Sequence, residues 1–192
     1  MTYNIRCVFI SSCGCRGGRK APAAAPNDLQ DRNVYMKSKE NMKICFAASS
    51  GGHYEQLLML RPLMDKYDSF IVTEQTLYDT SVEGKRMYYM KQVNRKDKLF
   101  IFKMIGNLFR AISLYSKEKP DIVITTGVMA MIPICMIAKL HKKKLVYIES
   151  FAKVSSPTKT GKLMYKYADR FYVQWESMLE IFPDAVCLGG IY

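Results

Sequence analysis

At 192 residues the chain is sized for one domain with a sizeable core, and 49% hydrophobic against 24% charged residues is the balance of a globular protein. Lys and Arg total 29 against 17 Asp and Glu, a net +12, which calls for an anionic partner: nucleic acid, anionic lipid headgroups or phosphorylated ligands. The longest apolar run, Val128 to Ala138, is 11 residues and contains Pro133, short of the ~18 that a membrane-spanning helix needs.

The apolar piece Cys7-Val8-Phe9-Ile10 is too short, and lacks the cleavage pattern, for a signal peptide. Cys13-Gly14-Cys15 has the spacing of neither a zinc knuckle nor a Cys-x-x-Cys redox pair. Cys45, Cys135 and Cys187 sit in apolar runs and read as reduced thiols acting as small hydrophobes. The expectation is a protein that is cytoplasmic or peripheral on the cytosolic face of the membrane.

Residues 1–41 carry Arg16-Gly17-Gly18-Arg19-Lys20 and the Ala/Pro run from Ala21 to Pro26, a linker-like composition without periodicity. They are expected to be an extension ahead of a domain spanning 42–192, with Met42, or less favourably Met36, as the natural start. From Met42 onward strands and helices alternate. Lys43 to Ala48 reads as a buried strand and Ser49-Ser50-Gly51-Gly52 as a turn. His53 to Lys66 has helical spacing through Leu57, Leu60, Leu63 and Met64, with Pro62 expected to kink or shorten it. Phe70 to Thr73 is a strand and Met87 to Met90 a short one. Lys98 to Lys119 is a long helix ending before Pro120, and Asp121 to Thr126 a β-branched strand. Met129 to Leu140 is helical, Lys144 to Ile148 a strand, Thr160 to Ala168 helical, Arg170 to Gln174 a strand, Glu176 to Ile181 a short helix and Asp184 to Leu188 a last strand. Near-continuous apolar strands separated by helices predict a parallel sheet covered on both faces, a Rossmann-like doubly wound α/β domain. Ending soon after the last strand, the chain is expected to lack a second domain.

Ligands of such sheets bind beyond the carboxyl ends of the strands, and three loops occupy that edge. Ser49, Ser50, Gly51 and Gly52 run into a helix carrying His53 in its first turn. Their bare backbone reads equally as a cradle for a diphosphate or as a plain turn capped by Ser. The pattern is neither the dinucleotide fingerprint nor a P-loop. Gly127 repeats the arrangement more weakly after Thr125-Thr126. Glu149, followed by Ser150, ends a buried strand and reads as a base or sugar-orienting carboxylate, or equally as a cap or ion-pair partner. His141, in a lysine-rich helix end, is read as non-functional. On the long helix Ile101, Ile105, Leu108, Ile112 and Tyr115 form one stripe, widened by Leu99, Phe100, Phe102 and Phe109. Arg95, Lys96, Lys98, Lys103, Arg110, Lys117 and Lys119 lie around it. This is a core helix with a solvated basic face, or one that also touches anionic lipid through Lys98, Phe102, Lys103 and Arg110.

The stretch Ser49 to Leu57 resembles the glycine loop of the membrane-anchor subunit of the split UDP-GlcNAc transferase of asparagine-linked glycosylation, and still more its bacterial relatives from capsule and exopolysaccharide clusters. Pro120 to Gly127, Tyr147 to Ala152, Thr160 to Tyr165, Ala168-Asp169 and Val173-Gln174-Trp175 agree with the bacterial pattern. The resemblance covers 42–192 and leaves 1–41 unmatched; this sequence also lacks the eukaryotic subunit's N-terminal membrane helix. It implies the N-terminal, acceptor-binding half of a GT-B glycosyltransferase, similar to the N-terminal domain of the peptidoglycan GlcNAc transferase. A separate subunit would bind the donor UDP-sugar. The acceptor would be a lipid-diphosphate-linked saccharide, receiving galactose or GlcNAc, with the diphosphate at Ser49, Ser50, Gly51, Gly52, Gly127 and Ser150. His53 and Glu149 become the catalytic candidates. No metal or cofactor is expected.

A single α/β domain cannot by itself enclose donor and acceptor, which fits a split enzyme. A stand-alone Rossmann-type nucleotide-binding enzyme is the alternative; against it, the fingerprint is absent and only Glu74 follows the second strand as an acidic ribose partner. A nucleic-acid module would rest on net charge alone, without a reading motif or stacking platform, so no nucleic acid is expected as a partner. A further possibility is a membrane adaptor for the partner, in which His53 and Glu149 have no chemistry. The tail Leu188 to Tyr192 is expected to dock on the partner subunit.

Overall fold

The computed structural model describes residues 42–77, 80–94, 96–127 and 129–192; the readings made for 1–41, Arg95 and Val128 lie outside them. Seven parallel strands form one sheet: β1 (Lys43–Ala48), β2 (Asp68–Glu74), β3 (Arg86–Met90), β4 (Ile122–Gly127), β5 (Lys144–Ile148), β6 (Arg170–Val173) and β7 (Val186–Cys187), in the order β3-β2-β1-β4-β5-β6-β7. The β1, β2 and β4 sequences are apolar through their middles because both faces are covered, and almost every residue in them is buried. Alternation sends Cys45, Ala47, Phe70, Val72, Val123, Leu145 and Tyr147 into one cluster with residues of α3 (Phe100–Glu118) and α4 (Ile132–Leu140). On β1, Ile44 and Phe46 alternate with these. Helix α1 (Gly52–Leu58) packs against β1 and β4, and α2 (Arg61–Lys66) against β2. Each fully buried Ile, Leu or Phe contributes roughly 1.5–3 kcal/mol.

The expected helix from His53 to Lys66 is two helices. The chain breaks at Met59-Leu60 and Pro62 sits in the first turn of α2, where its missing N–H costs nothing. The expected helix from Met129 to Leu140 likewise divides into a 3-10 turn, Met129–Met131, and α4, with Pro133 in its first turn. Helix α5 (Lys159–Met164) stops short of the expected Ala168, Glu176–Glu180 is a 3-10 helix, and β7 keeps two of its five expected residues. As the edge strand, β7 pairs only through Tyr172–Val186 and Val173–Cys187.

Helix α3 corrects the reading of its apolar stripe. Its buried face is Asn107, Ala111, Leu114, Tyr115 and Glu118. Of the stripe, Ile101, Ile105, Leu108 and Ile112 are exposed, as are Leu99, Phe102 and Phe109. The core side tolerates polar Asn107 because its amide closes a two-way bridge to the Lys91 backbone, accepting from N and donating to O, each at 2.8 Å. Glu118 is tolerated because Lys43 Nζ at 3.1 Å, Arg86 Nη1 at 2.7 Å and the Tyr88 hydroxyl all donate to it. Cys45 and Cys135 are buried, as their apolar surroundings predict. Burial, above all, pushes both thiols up, Cys135 to about 12, which leaves them inert packing groups.

Candidate active-site edge

Strand order reverses between β1 and β4, so the crevice at their carboxyl ends is where an open sheet of this kind binds ligands. Both predicted glycine loops open on it. The pairing register between these strands shifts at Ala47/Ala48, immediately before the first loop. Ser49 is buried; Gly51 has φ 79° and ψ −147°, a conformation for glycine alone, and its carbonyl accepts from Tyr54 N at 2.8 Å and Glu55 N at 3.1 Å. Among the described residues nothing lies within 4 Å of a would-be Cβ at either Gly51 or Gly52, which leaves this backbone open to a ligand.

His53 joins the first loop to the second. Its Nδ1 donates to the Thr126 carbonyl at 2.7 Å, and Thr126 Oγ1 donates back to the His53 carbonyl at 2.7 Å. A carbonyl only accepts, so Nδ1 carries the hydrogen and, in the neutral ring, Nε2 carries the lone pair. Gly127 has φ 110°, and a side chain there would meet the Tyr147 hydroxyl at 3.0 Å and His53 Cε1 at 3.6 Å. The bare glycine lets the imidazole and the buried tyrosine converge. Burial, and after it the charge of Glu149, push the Tyr147 hydroxyl far above its usual range, so it stays protonated.

Glu149 departs from the expectation of a carboxylate open to the crevice. It is 1% exposed. Ser150 N donates to its Oε1 at 2.9 Å, Thr158 Oγ1 at 3.0 Å, and Thr158 N reaches its Oε2 at 3.4 Å. Thr158 also caps α5 by accepting from Gly161 N at 2.8 Å. The carboxylate thus ties both ends of the 150–158 loop to the end of β5, and its carbonyl accepts from the buried Gln174 amide at 2.9 Å. Gly161 makes this possible: a Cβ there would lie 1.9 Å from Glu149 Oε2. Gly161→Ala should therefore displace the carboxylate and cost about 1–3 kcal/mol, read as a lower midpoint in urea unfolding with an unchanged slope.

Glu74 is the edge residue that the sequence reading placed only as a ribose partner. It ends β2 as Glu149 follows β5, and a carboxylate terminating an apolar strand was the available signal. It is 4% exposed and accepts from Ser50 Oγ at 3.3 Å. Burial raises its pKa, while backbone N–H groups of Val93 and Ser50 and the nearby His53 work against that rise. Glu74 thus anchors the glycine loop to the sheet.

The remaining candidates separate from this crevice. Lys98, Phe102, Lys103 and Arg110 lie on or just before α3. Lys103 is paired with Asp97, Arg110 Nη1 reaches the Tyr89 carbonyl at 3.3 Å, and Phe102 is 72% exposed. Lys103, Arg110 and Lys117 recur every seven residues, a basic stripe along the helix beside its exposed apolar face. Among the described residues no helix is long and apolar enough to cross a membrane. His141 Nδ1 donates to the Ile137 carbonyl at 3.0 Å and its ring packs on Tyr115, a helix-end role. The tail returns to the edge: Ile191 N donates to Gln174 Oε1 at 2.9 Å and Tyr192 stands edge-on to Phe151.

The profile of the family described as "Oligosaccharide biosynthesis protein Alg14 like" matches residues 66–191. The chain is 35% identical to the Schizosaccharomyces pombe UDP-N-acetylglucosamine transferase subunit alg14, over 84% of this chain and 90% of that one. It is 25% identical to the Homo sapiens subunit of the same name, over 83% and 88%. Among solved structures it is similar to MurG of Acinetobacter baumannii, with a TM-score of 0.59 and 16% identity over 71% of this chain and 42% of that one. The chain thus spans less than half the length of that structure.

Proposed function

Because the chain belongs to the Alg14-like family of oligosaccharide biosynthesis proteins, we propose that it is the acceptor-binding subunit of a two-component glycosyltransferase. It binds a lipid-diphosphate-linked saccharide and recruits a donor-binding partner chain that brings a UDP-sugar. The sugar transferred is galactose or GlcNAc, and the process is capsular or exopolysaccharide biosynthesis. The observation that carries this reading is His53, fixed across the switch point by Thr126 with its Nε2 lone pair unused by that bond. Such an imidazole accepts the proton of an acceptor hydroxyl as that oxygen bonds to the anomeric carbon and UDP leaves. The open backbone of Gly51 and Gly52 takes the diphosphate, with Ser49, Ser50, Gly127 and Ser150 as further candidate contacts. Tyr147 and Glu149 hold the walls, and Glu149 acts as a positioning group.

The test is transfer from a panel of radiolabelled UDP-sugars to lipid acceptor in membranes, with this chain, its partner and both together. Transfer strong only with both is expected. A partner fully active alone would end the reading and bring the stand-alone nucleotide-binding alternative forward. The tail Leu188 to Tyr192 is assigned to the partner interface.

The exposed apolar face of α3 and its basic stripe support peripheral attachment to the cytosolic membrane face. Reversing Lys98, Lys103 and Arg110 to Glu should weaken binding to vesicles containing anionic lipid by at least about tenfold at low salt, since each basic residue near such a surface is worth about 1 kcal/mol. The loss should shrink at high salt. Salt-independent binding in a flotation assay would assign the stripe to solvent alone.

A further inference from the structure

A crevice of about 540 Å³ opens beside the glycine loop, on its β2–β3 side, away from the Thr126 contact of His53. Ser50, Gly51, Tyr54 and Glu55 form one wall; Thr76, Thr80 and Gln92, from the segments after β2 and β3, form the other. Pockets of roughly 300–1,000 Å³ hold small ligands. The chemistry of this one is selective. Among the described residues no Lys or Arg lines it, in a chain with net charge +12. It holds the Glu55 carboxylate, and Ser50 is hydrogen-bonded to a second carboxylate, Glu74. An anionic phosphate is repelled from the part beside Glu55, while hydroxyl groups can donate to the carboxylate and to the Gln92 amide.

A second observation points to an occupant. Thr80 Oγ1 is buried and has no hydrogen-bonding partner among the described residues. A buried hydroxyl left unmatched costs about 1–3 kcal/mol, which a ligand's hydroxyl would recover once the Thr80 side chain turns toward the crevice. The wall that carries it is fixed, since the Tyr54 hydroxyl donates to the Thr80 carbonyl. Tyr54 and Leu77 supply the apolar surface against which the carbon face of a ring can lie.

We propose that this crevice is a subsite for a neutral pyranose ring, that of the acceptor saccharide. The source of the ring, though not its chemistry, rests on the glycosyltransferase reading. Gly51 also lines the crevice, so the ring lies next to the diphosphate held on the bare Gly51-Gly52 backbone and turns away from it toward Thr80 and Gln92.

The test uses the full chain with Thr80→Val and Gln92→Ala combined. Gln92 is exposed and Thr80→Val removes an unmatched hydroxyl at constant shape, so the variant should fold, checked by its unfolding midpoint. Saturation-transfer NMR with methyl β-glucopyranoside and with N-acetylglucosamine should show binding to the chain alone, weakened roughly tenfold in the variant, while inorganic diphosphate binds both equally. In the reconstituted pair the KM for lipid-linked acceptor should rise roughly tenfold, with kcat within about twofold and the KM for UDP-sugar unchanged. Equal sugar binding by wild type and variant, or no sugar binding by wild type, overturns the subsite. A shift in the donor KM instead overturns its assignment to the acceptor. Should the wild-type pair transfer nothing while the chain still binds the glycosides through these two residues, the subsite stands and the glycosyltransferase reading falls.

Discussion

Replacing His53 with Ala should lower sugar transfer by the reconstituted pair by about 10²–10⁴-fold, the usual worth of a positioned general base. Partner binding and thermal stability should change little. The side chain is only part-buried, and its loss frees one carbonyl, that of Thr126, which water at the crevice can satisfy. The Thr126 hydroxyl keeps its bond to the residue 53 carbonyl, because that bond is made to backbone. The loop therefore stays closed while the proton acceptor is gone. His53→Gln separates chemistry from geometry, since a glutamine can donate to Thr126 but offers no basic nitrogen. Comparable losses in both variants, concentrated in kcat, identify proton transfer. Recovery in His53→Gln would show that bridging the loops is the whole role. Unchanged transfer in His53→Ala would make the histidine structural and leave the open backbone as the functional element.

The sheet was legible because burial on both faces leaves its mark along the chain: Lys43 to Ala48 and Asp121 to Thr126 are short, mostly apolar or β-branched runs that suit a doubly covered parallel strand. The candidate ligand edge followed from the same pattern, and the pairing of His53 with Thr126 lies where the strand order reverses. What hid itself was orientation. Helix α3 has apolar residues on more than one side, so periodicity found the stripe at Ile101, Ile105, Leu108 and Ile112 and could not say that it faces outward. The buried side announces itself instead through polar residues that need partners. Asn107 and Glu118 are affordable only because Lys91, Lys43, Arg86 and Tyr88 meet them, and those partners lie 16 to 75 positions away in sequence. Glu149 posed the converse difficulty. Its place at a strand end was readable, but the turn of chain that brings Thr158 and Gly161 over its oxygens was not.

Glu118 carries a large expected effect on stability. It is 4% exposed at the amino edge of the sheet, remote from the crevice, and it joins three elements: Lys43 from β1, and Arg86 and Tyr88 from β3, converge on the last turn of α3. Removing one member of a fully buried charged cluster costs about 3–5 kcal/mol, but here only Glu118 is buried while Lys43 and Arg86 reach solvent, which lowers the range to about 1–3 kcal/mol. Asp68 softens the loss, because it also contacts Lys43 at 3.6 Å and pairs with Arg86. Glu118→Ala should thus fall within that lowered range in urea unfolding, with transfer per folded molecule unchanged. The acid limb distinguishes charge from packing. Burial alone would raise the Glu118 pKa, but the Tyr88 hydroxyl, Lys43 and Arg86 outweigh it and hold the group below its ordinary 4.5. A carboxylate whose pKa is depressed on folding contributes stability above its unfolded value and loses it as pH falls through the folded one. The gap between wild type and Glu118→Gln should accordingly be full at neutral pH and close as pH drops below 4.5. A gap that persists undiminished to about pH 3 would mean that the shape of the side chain, rather than its charge, fastens α3 to the sheet.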